Sequence, residues 1–95
     1  MHVGVLTLNI FLPECQSLKE KRGHIKTIIA RLRKEFNISV AETDLQDSWR
    51  HCELTIACAA SGGVVAEKTL GQVIAFYESH WPDLPLTEEK IEIIH

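Results

Sequence analysis

The chain carries few of the residue patterns from which catalytic or ligand-holding sites are built. Its 95 residues include three cysteines, Cys15, Cys52 and Cys58, an odd number at spacings that match no zinc motif. Cys52 and Cys58 fall on one face of a strand about 20 Å apart, beyond disulfide reach. All three are read as small buried or half-buried thiols. There is no phosphate-cradling glycine loop, no catalytic triad and no metal motif, so no cofactor and no metal are expected. The five histidines (2, 24, 51, 80 and 95) are scattered. His51 and Cys52 are adjacent, but neighbours on a strand point to opposite faces, so they do not form the Cys–His couple at ~3 Å that nucleophilic catalysis needs. These absences favour a protein that binds over one that catalyses.

Two further absences narrow the class. No apolar run approaches the ~20 residues of a membrane span, and the opening Met-His-Val-Gly-Val lacks the basic region and cleavage pattern of a signal peptide. A cytoplasmic protein without membrane contact is expected. Aromatic residues make up only 6% of the chain and no aromatic-rich strand motif is present, which argues against sequence-specific stacking on single-stranded bases. Apolar content of 45% and charged content of 24% are ordinary for one globular domain spanning 1–95.

What the chain does have is one basic segment in an acidic background. Ser17 to Phe36 reads SLKEKRGHIKTIIARLRKEF and opens as a capping box: Ser17 accepts from a free amide of the first turn, and Glu20 reaches back to the amide of Ser17. Leu18, Ile25, Ile29, Leu32 and Phe36 recur at helical spacings and predict one apolar stripe on a helix of about 30 Å. Seven Lys or Arg stand here against Glu20 and Glu35, a net of +5, whereas the rest of the chain has three basic and eleven acidic residues, a net of −8. Lys19, Arg22, Lys26 and Arg33 line one flank of the stripe with no acid among them. Asymmetry of this kind speaks to partners.

The other segments alternate or punctuate clearly. His2 to Pro13 is a strand with Leu6, Leu8, Ile10 and Leu12 inward and Val3, Val5, Thr7, Asn9 and Phe11 on a half-polar second face. Asn37 to Thr43 is a second strand, with Ile38 and Val40 inward. Asp44 to Ser48 is a polar turn, and Trp49 to Ala60 is a third strand with Cys52, Leu54, Ile56 and Cys58 inward; the pair suggests a hairpin. After Ser61-Gly62-Gly63, Val64 to Trp81 reads as a second helix with Ala66, Leu70, Val73 and Tyr77 on one face, stopped by Pro82. Leu84 to His95 is a last strand. The order βαββαβ with right-handed crossovers gives an α+β, ferredoxin-like fold: a four-stranded antiparallel sheet with two helices on one face.

The opening MHVGVLTLNIFLPECQSLKEKR, the segment Ser17 to Arg22, Val40 to Glu42, and the pattern of Asp44, Asp47 and Trp49 resemble the YlxP-like bacterial family, a domain family of unknown function. The resemblance covers most of the chain and fades after Gly63. It implies a ferredoxin-like domain without an established catalytic residue. Genes of the family often lie beside those of translation initiation and ribosome maturation factors, which implies a partner in that machinery. Two positions depart from the family pattern: Asn9 stands where relatives often carry an acid, and Gly23 stands where they usually carry a better helix former.

Three surfaces are candidates for function. The first is the basic flank, where Lys19, Arg22, Lys26 and Arg33 would meet phosphates of ribosomal RNA or a ribosome-associated factor. Four such cations would give a log–log salt slope of about −3. Alternatively, their stems lie on the core with their heads in water, or they pair with Glu67 and Glu78 of the second helix. The second is the open sheet face, where Thr7, Asn9 and Phe11 would lie beside Thr55 and Ala57 and form a homo-oligomer surface or a shallow site for a small ligand or protein partner. The third is Glu42, Asp44 and Asp47 near the hairpin loop. Their carboxylates suit Mg²⁺ in type, but no loop spacing supports a cation site. Closing the turn, or pairing with Arg50 or a base of the first helix, is the simpler role for Asp44 or Asp47.

Overall fold

The computed structural model describes residues 1–95. It contains β1 (His2–Phe11), α1 (Leu18–Glu35), β2 (Ser39–Asp44), β3 (His51–Ala60), α2 (Gly63–His80) and β4 (Leu86–Ile94). The four strands form one antiparallel sheet in the order β2-β3-β1-β4, so β2 and β4 are its edges. The fold is the ferredoxin-like βαββαβ expected from alternation and helical periodicity.

The two central strands supply the floor of the core. Leu6, Leu8 and Ile10 of β1 and Cys52, Leu54, Ile56 and Cys58 of β3 are all buried. Both helices cover that same face, α1 with Ile25, Ile28 and Leu32 and α2 with Ala66, Leu70, Val73 and Tyr77. Each fully buried Leu or Ile here contributes about 1.5–3 kcal/mol relative to exposure. The α2 face is the one its spacing predicts. Gly4 lets α2 settle this close to the sheet: a Cβ there would lie 2.9 Å from Leu70 Cδ1 and 3.1 Å from the Cβ of Ala66.

Two details of α1 differ from expectation. Its buried stripe runs through Lys21, Ile25, Ile28 and Leu32, while Ile29 and Phe36 are only half-buried. The stripe is turned toward Ile28 because Lys21, a charged residue, has interior partners. At the N-terminus Ser17 Oγ accepts from the Glu20 amide at 3.1 Å as predicted, but Glu20 Oε2 accepts from the amide of Gln16, not from that of Ser17. The capping box therefore reaches one residue further out.

The links are held by backbone and side-chain hydrogen bonds. The Tyr77 hydroxyl donates to the Leu84 carbonyl at 2.6 Å and pins the connection from α2 to β4. Trp81 is half-buried against Tyr77, at the edge of the core. Trp49 is 51% exposed and does not belong to that edge.

Candidate functional site: the basic flank and the pair beneath it

Lys19, Arg22, Lys26 and Arg33 share one side of α1, about 120° round the helix axis from the centre of the buried stripe. Two contacts fix which way that side faces. Arg33 Nη2 donates to the carbonyl of Val40 in β2 at 2.9 Å. On the other side of the helix, the Arg31 guanidinium sits over the ring of Phe76 in α2, 5.6 Å from its centroid. The basic flank therefore runs along the β2 edge, away from α2. Lys19, Arg22 and Lys26 are exposed, and none of them forms a hydrogen bond or ion pair within the chain. Pairing with Glu67 and Glu78 does not occur, because those residues lie on the flank of α2 opposite Phe76.

Arg33 differs from its three neighbours. Its bond to Val40 occupies an outward carbonyl of an edge strand, a group that would otherwise offer itself to another chain. Gln46 Nε2 reaches the next outward carbonyl, that of Glu42, at 3.5 Å. Arg33 is thus partly committed to closing the sheet edge.

Beneath the flank lies a constellation that the sequence reading missed. Lys21 is 1% exposed. Its ammonium donates to the carbonyl of Leu45 at 2.6 Å and lies 3.1 Å from Glu42 Oε2. That oxygen is closed to solvent and receives no aligned hydrogen bond, so the contact is ionic more than directional. Leu45 is the one non-glycine residue with positive φ, at 64°, and Lys21 holds its carbonyl in that left-handed turn. The fully buried Cys52 completes the group: burial, then the adjacent Glu42 carboxylate, push its thiol up to about 12. A thiol so protonated is no nucleophile at neutral pH. Both charged residues stood at positions the periodicities assign to the interior. Lys21 lies between Leu18 and Ile25 on the α1 stripe, and Glu42 continues Ile38 and Val40 on the inner face of β2.

The three acids near the hairpin do not converge. Glu42 faces inward to Lys21, while Asp44 Oδ1 accepts from the amide of Leu45 at 2.8 Å and closes the turn. No group of three or more His, Cys, Asp or Glu side chains is placed to hold a metal ion. Arg50 pairs with neither Asp44 nor Asp47; its Nε donates to the carbonyl of Cys15 at 3.3 Å.

On the open sheet face, Val5 is opposite Ala57 and Thr7 opposite Thr55. Asn9 sits between Glu53 of β3 and Glu88 of β4. Phe11 stacks on His51 with ring centroids 5.2 Å apart. Thr43 donates to Glu53 Oε2 at 2.8 Å, so this end of the face is polar and internally bonded. The larger of two cavities, about 590 Å³, opens between the β1–α1 and α2–β4 links, beside Glu14, Cys15, Glu20, His24 and Asp83. It lies away from both the basic flank and the open face.

Comparison with known proteins agrees with this architecture. The family described as Protein of unknown function (DUF503) matches residues 3–91. The Uncharacterized protein YlxP of Bacillus subtilis (strain 168) is 34% identical over 90 residues, which cover 95% of this chain and 97% of that protein. Among solved structures, a de novo designed protein with ferredoxin fold is similar with a TM-score of 0.58 at 17% identity, over 97% of this chain and 85% of that one. The de novo designed protein Foldit4 is similar with a TM-score of 0.56 at 13% identity, over 100% and 98%. At these identities the structural likeness speaks to fold alone. No helix is long and apolar enough to cross a membrane.

Proposed function

The chain belongs to the DUF503 family, and we propose that it acts as a cytoplasmic, non-catalytic binding module that docks on ribosomal RNA through the basic flank of α1. The observation that carries this reading is the placement of Lys19, Arg22 and Lys26: three cations on one exposed helix flank, free of internal partners and turned away from α2. Flexible cations spaced along one line suit a phosphate backbone, to which each contributes by releasing a condensed counterion. The acidic remainder of the molecule repels nucleic acid elsewhere and so orients the encounter. No stacking aromatics are needed, because phosphate contacts position a protein without reading bases.

The test is charge reversal. Lys19→Glu, Arg22→Glu and Lys26→Glu together are expected to leave the circular dichroism spectrum and melting temperature nearly unchanged, since none of the three side chains makes an internal hydrogen bond or ion pair. Co-sedimentation with ribosomal subunits at low salt should be lost. A folded triple variant that still co-sediments like the unaltered protein would overturn the reading. Arg33 is left out of this variant because its bond to Val40 gives it a structural duty.

A further inference from the structure

We infer that the free edge of β4 is a self-association surface, on which two copies pair antiparallel about a two-fold axis at Ile91 and join their sheets into one of eight strands. The two edges of the sheet are treated differently. On β2, Arg33 and Gln46 cover the outward carbonyls of Val40 and Glu42. No side chain does the same for β4.

The backbone parity shows which groups are free. Phe11 N–H donates to Pro85 O and Leu12 N–H to Arg50 O, so odd-numbered residues of β1 bond toward β4 and even-numbered ones toward β3. Opposite them, Glu88, Lys90, Glu92 and Ile94 pair with Asn9, Thr7, Val5 and Val3. The N–H and C=O groups of Glu89, Ile91 and Ile93 therefore point away from the sheet. The irregularity in this ladder falls between Asn9 and Ile10, so the stretch from Glu88 to Ile94 is regular.

The side chains then choose the register. Pairing Ile91 with its own copy sets Glu89 opposite Ile93, and on the other face Lys90 opposite Glu92 twice, once on each side of the axis. Sliding by one step in either direction centres the axis on Lys90 or on Glu92. The first sets Glu88 against Glu92, and the second brings two Glu92 face to face; both oppose like charges. All three registers keep the outward groups of odd-numbered residues opposite one another, and of the three the axis at Ile91 alone opposes no like charges. It also covers Ile91, which is 38% exposed although it lies on the helix face of the sheet. Lys90 Nζ and Glu92 Oε1 lie 3.2 Å apart along one strand, on the face where the cross-strand pairs would form. Since α1 packs on the β2 side, the two basic flanks would sit at opposite ends of the eight-stranded sheet, about 34 Å apart.

The experiment is sedimentation velocity of the full chain at tens to hundreds of micromolar. The unaltered protein should run as a dimer. Lys90→Glu should raise the dimer dissociation constant roughly tenfold or more, and adding Glu92→Lys should restore it, a rescue that a general fold defect would not show. Ile91→Pro removes an outward N–H and no bond of the existing ladder, and should give a folded monomer. Phe11→Glu, on the open face, should leave the mass unchanged. A monomer throughout this range for the unaltered chain, or a dimer indifferent to both Lys90→Glu and Ile91→Pro, overturns the inference. These readings involve no RNA, so they fail or succeed independently of the docking reading.

Discussion

Lys21 shows how one residue can serve a surface it does not belong to. Its ammonium ties the first turn of α1 to the β2–β3 hairpin through Glu42 and Leu45, beneath the helix that carries Lys19, Arg22 and Lys26. Removing one partner of such a pair strands the other. Lys21→Met should destabilise the fold by about 2–4 kcal/mol in urea unfolding. The double variant Lys21→Met, Glu42→Leu should recover much of that loss, since an apolar pair of similar volume needs no counter-charge. Additive losses in the two single variants and the double would show that the two side chains do not interact. Cys52 makes a second residue-scale prediction. Its thiol ionises near 9.0 in the unfolded chain but only near 12 when folded. Between these values the unfolded state has released the proton and the folded state has not. The thiol's stabilising contribution is therefore complete below pH 9 and is lost as pH rises toward 12, at about 1 kcal/mol per pH unit. Tyr77, also raised by burial, steepens the decline at its upper end. Denaturant midpoints measured from pH 8 to 11 should fall accordingly, with a shallower slope in Cys52→Ala; equal slopes would contradict the assignment.

At the scale of elements, the glycines separate what α1 and β1 require. Gly23 faces open space on an exposed side of α1, with nothing within 4 Å of where a Cβ would be. Gly23→Ala should stabilise by about 1 kcal/mol through helix propensity alone. Gly4 lies under α2, where the methyl would meet Ala66 and Leu70, and Gly4→Ala should cost about 1–3 kcal/mol. Thermal melts of the two variants should move in opposite directions. The elements themselves were legible because their periods are clean: the four inward residues of β1, the α2 face of Ala66, Leu70, Val73 and Tyr77, and the stop at Pro82 each repeat one signal without conflict. What was not legible is where a period is kept by a charged residue. Lys21 and Glu42 occupy interior positions, but composition reads each as surface, and only the sheet-and-helix contact shows that each answers the other. The same limit applies to Arg33, whose side of the helix was readable and whose bond to the β2 edge was not.

For the whole molecule, charge is the organising feature. The chain is net −3, yet its positive side chains gather along α1 at one edge of the sheet. Acidic Glu67, Glu78, Glu88, Glu89 and Glu92 gather toward the other, around α2 and β4. A body of this kind meets a polyanion in one orientation, and its affinity depends on ionic strength through the number of cations engaged. With Arg33 partly held by Val40, that number is three. The most direct measurement is therefore the affinity of the purified protein for ribosomal subunits across a salt series. A saturable affinity that falls with a log–log slope of about −2 to −3 is the result this account predicts. Absence of binding at low salt, or binding whose strength does not change with salt, would contradict it.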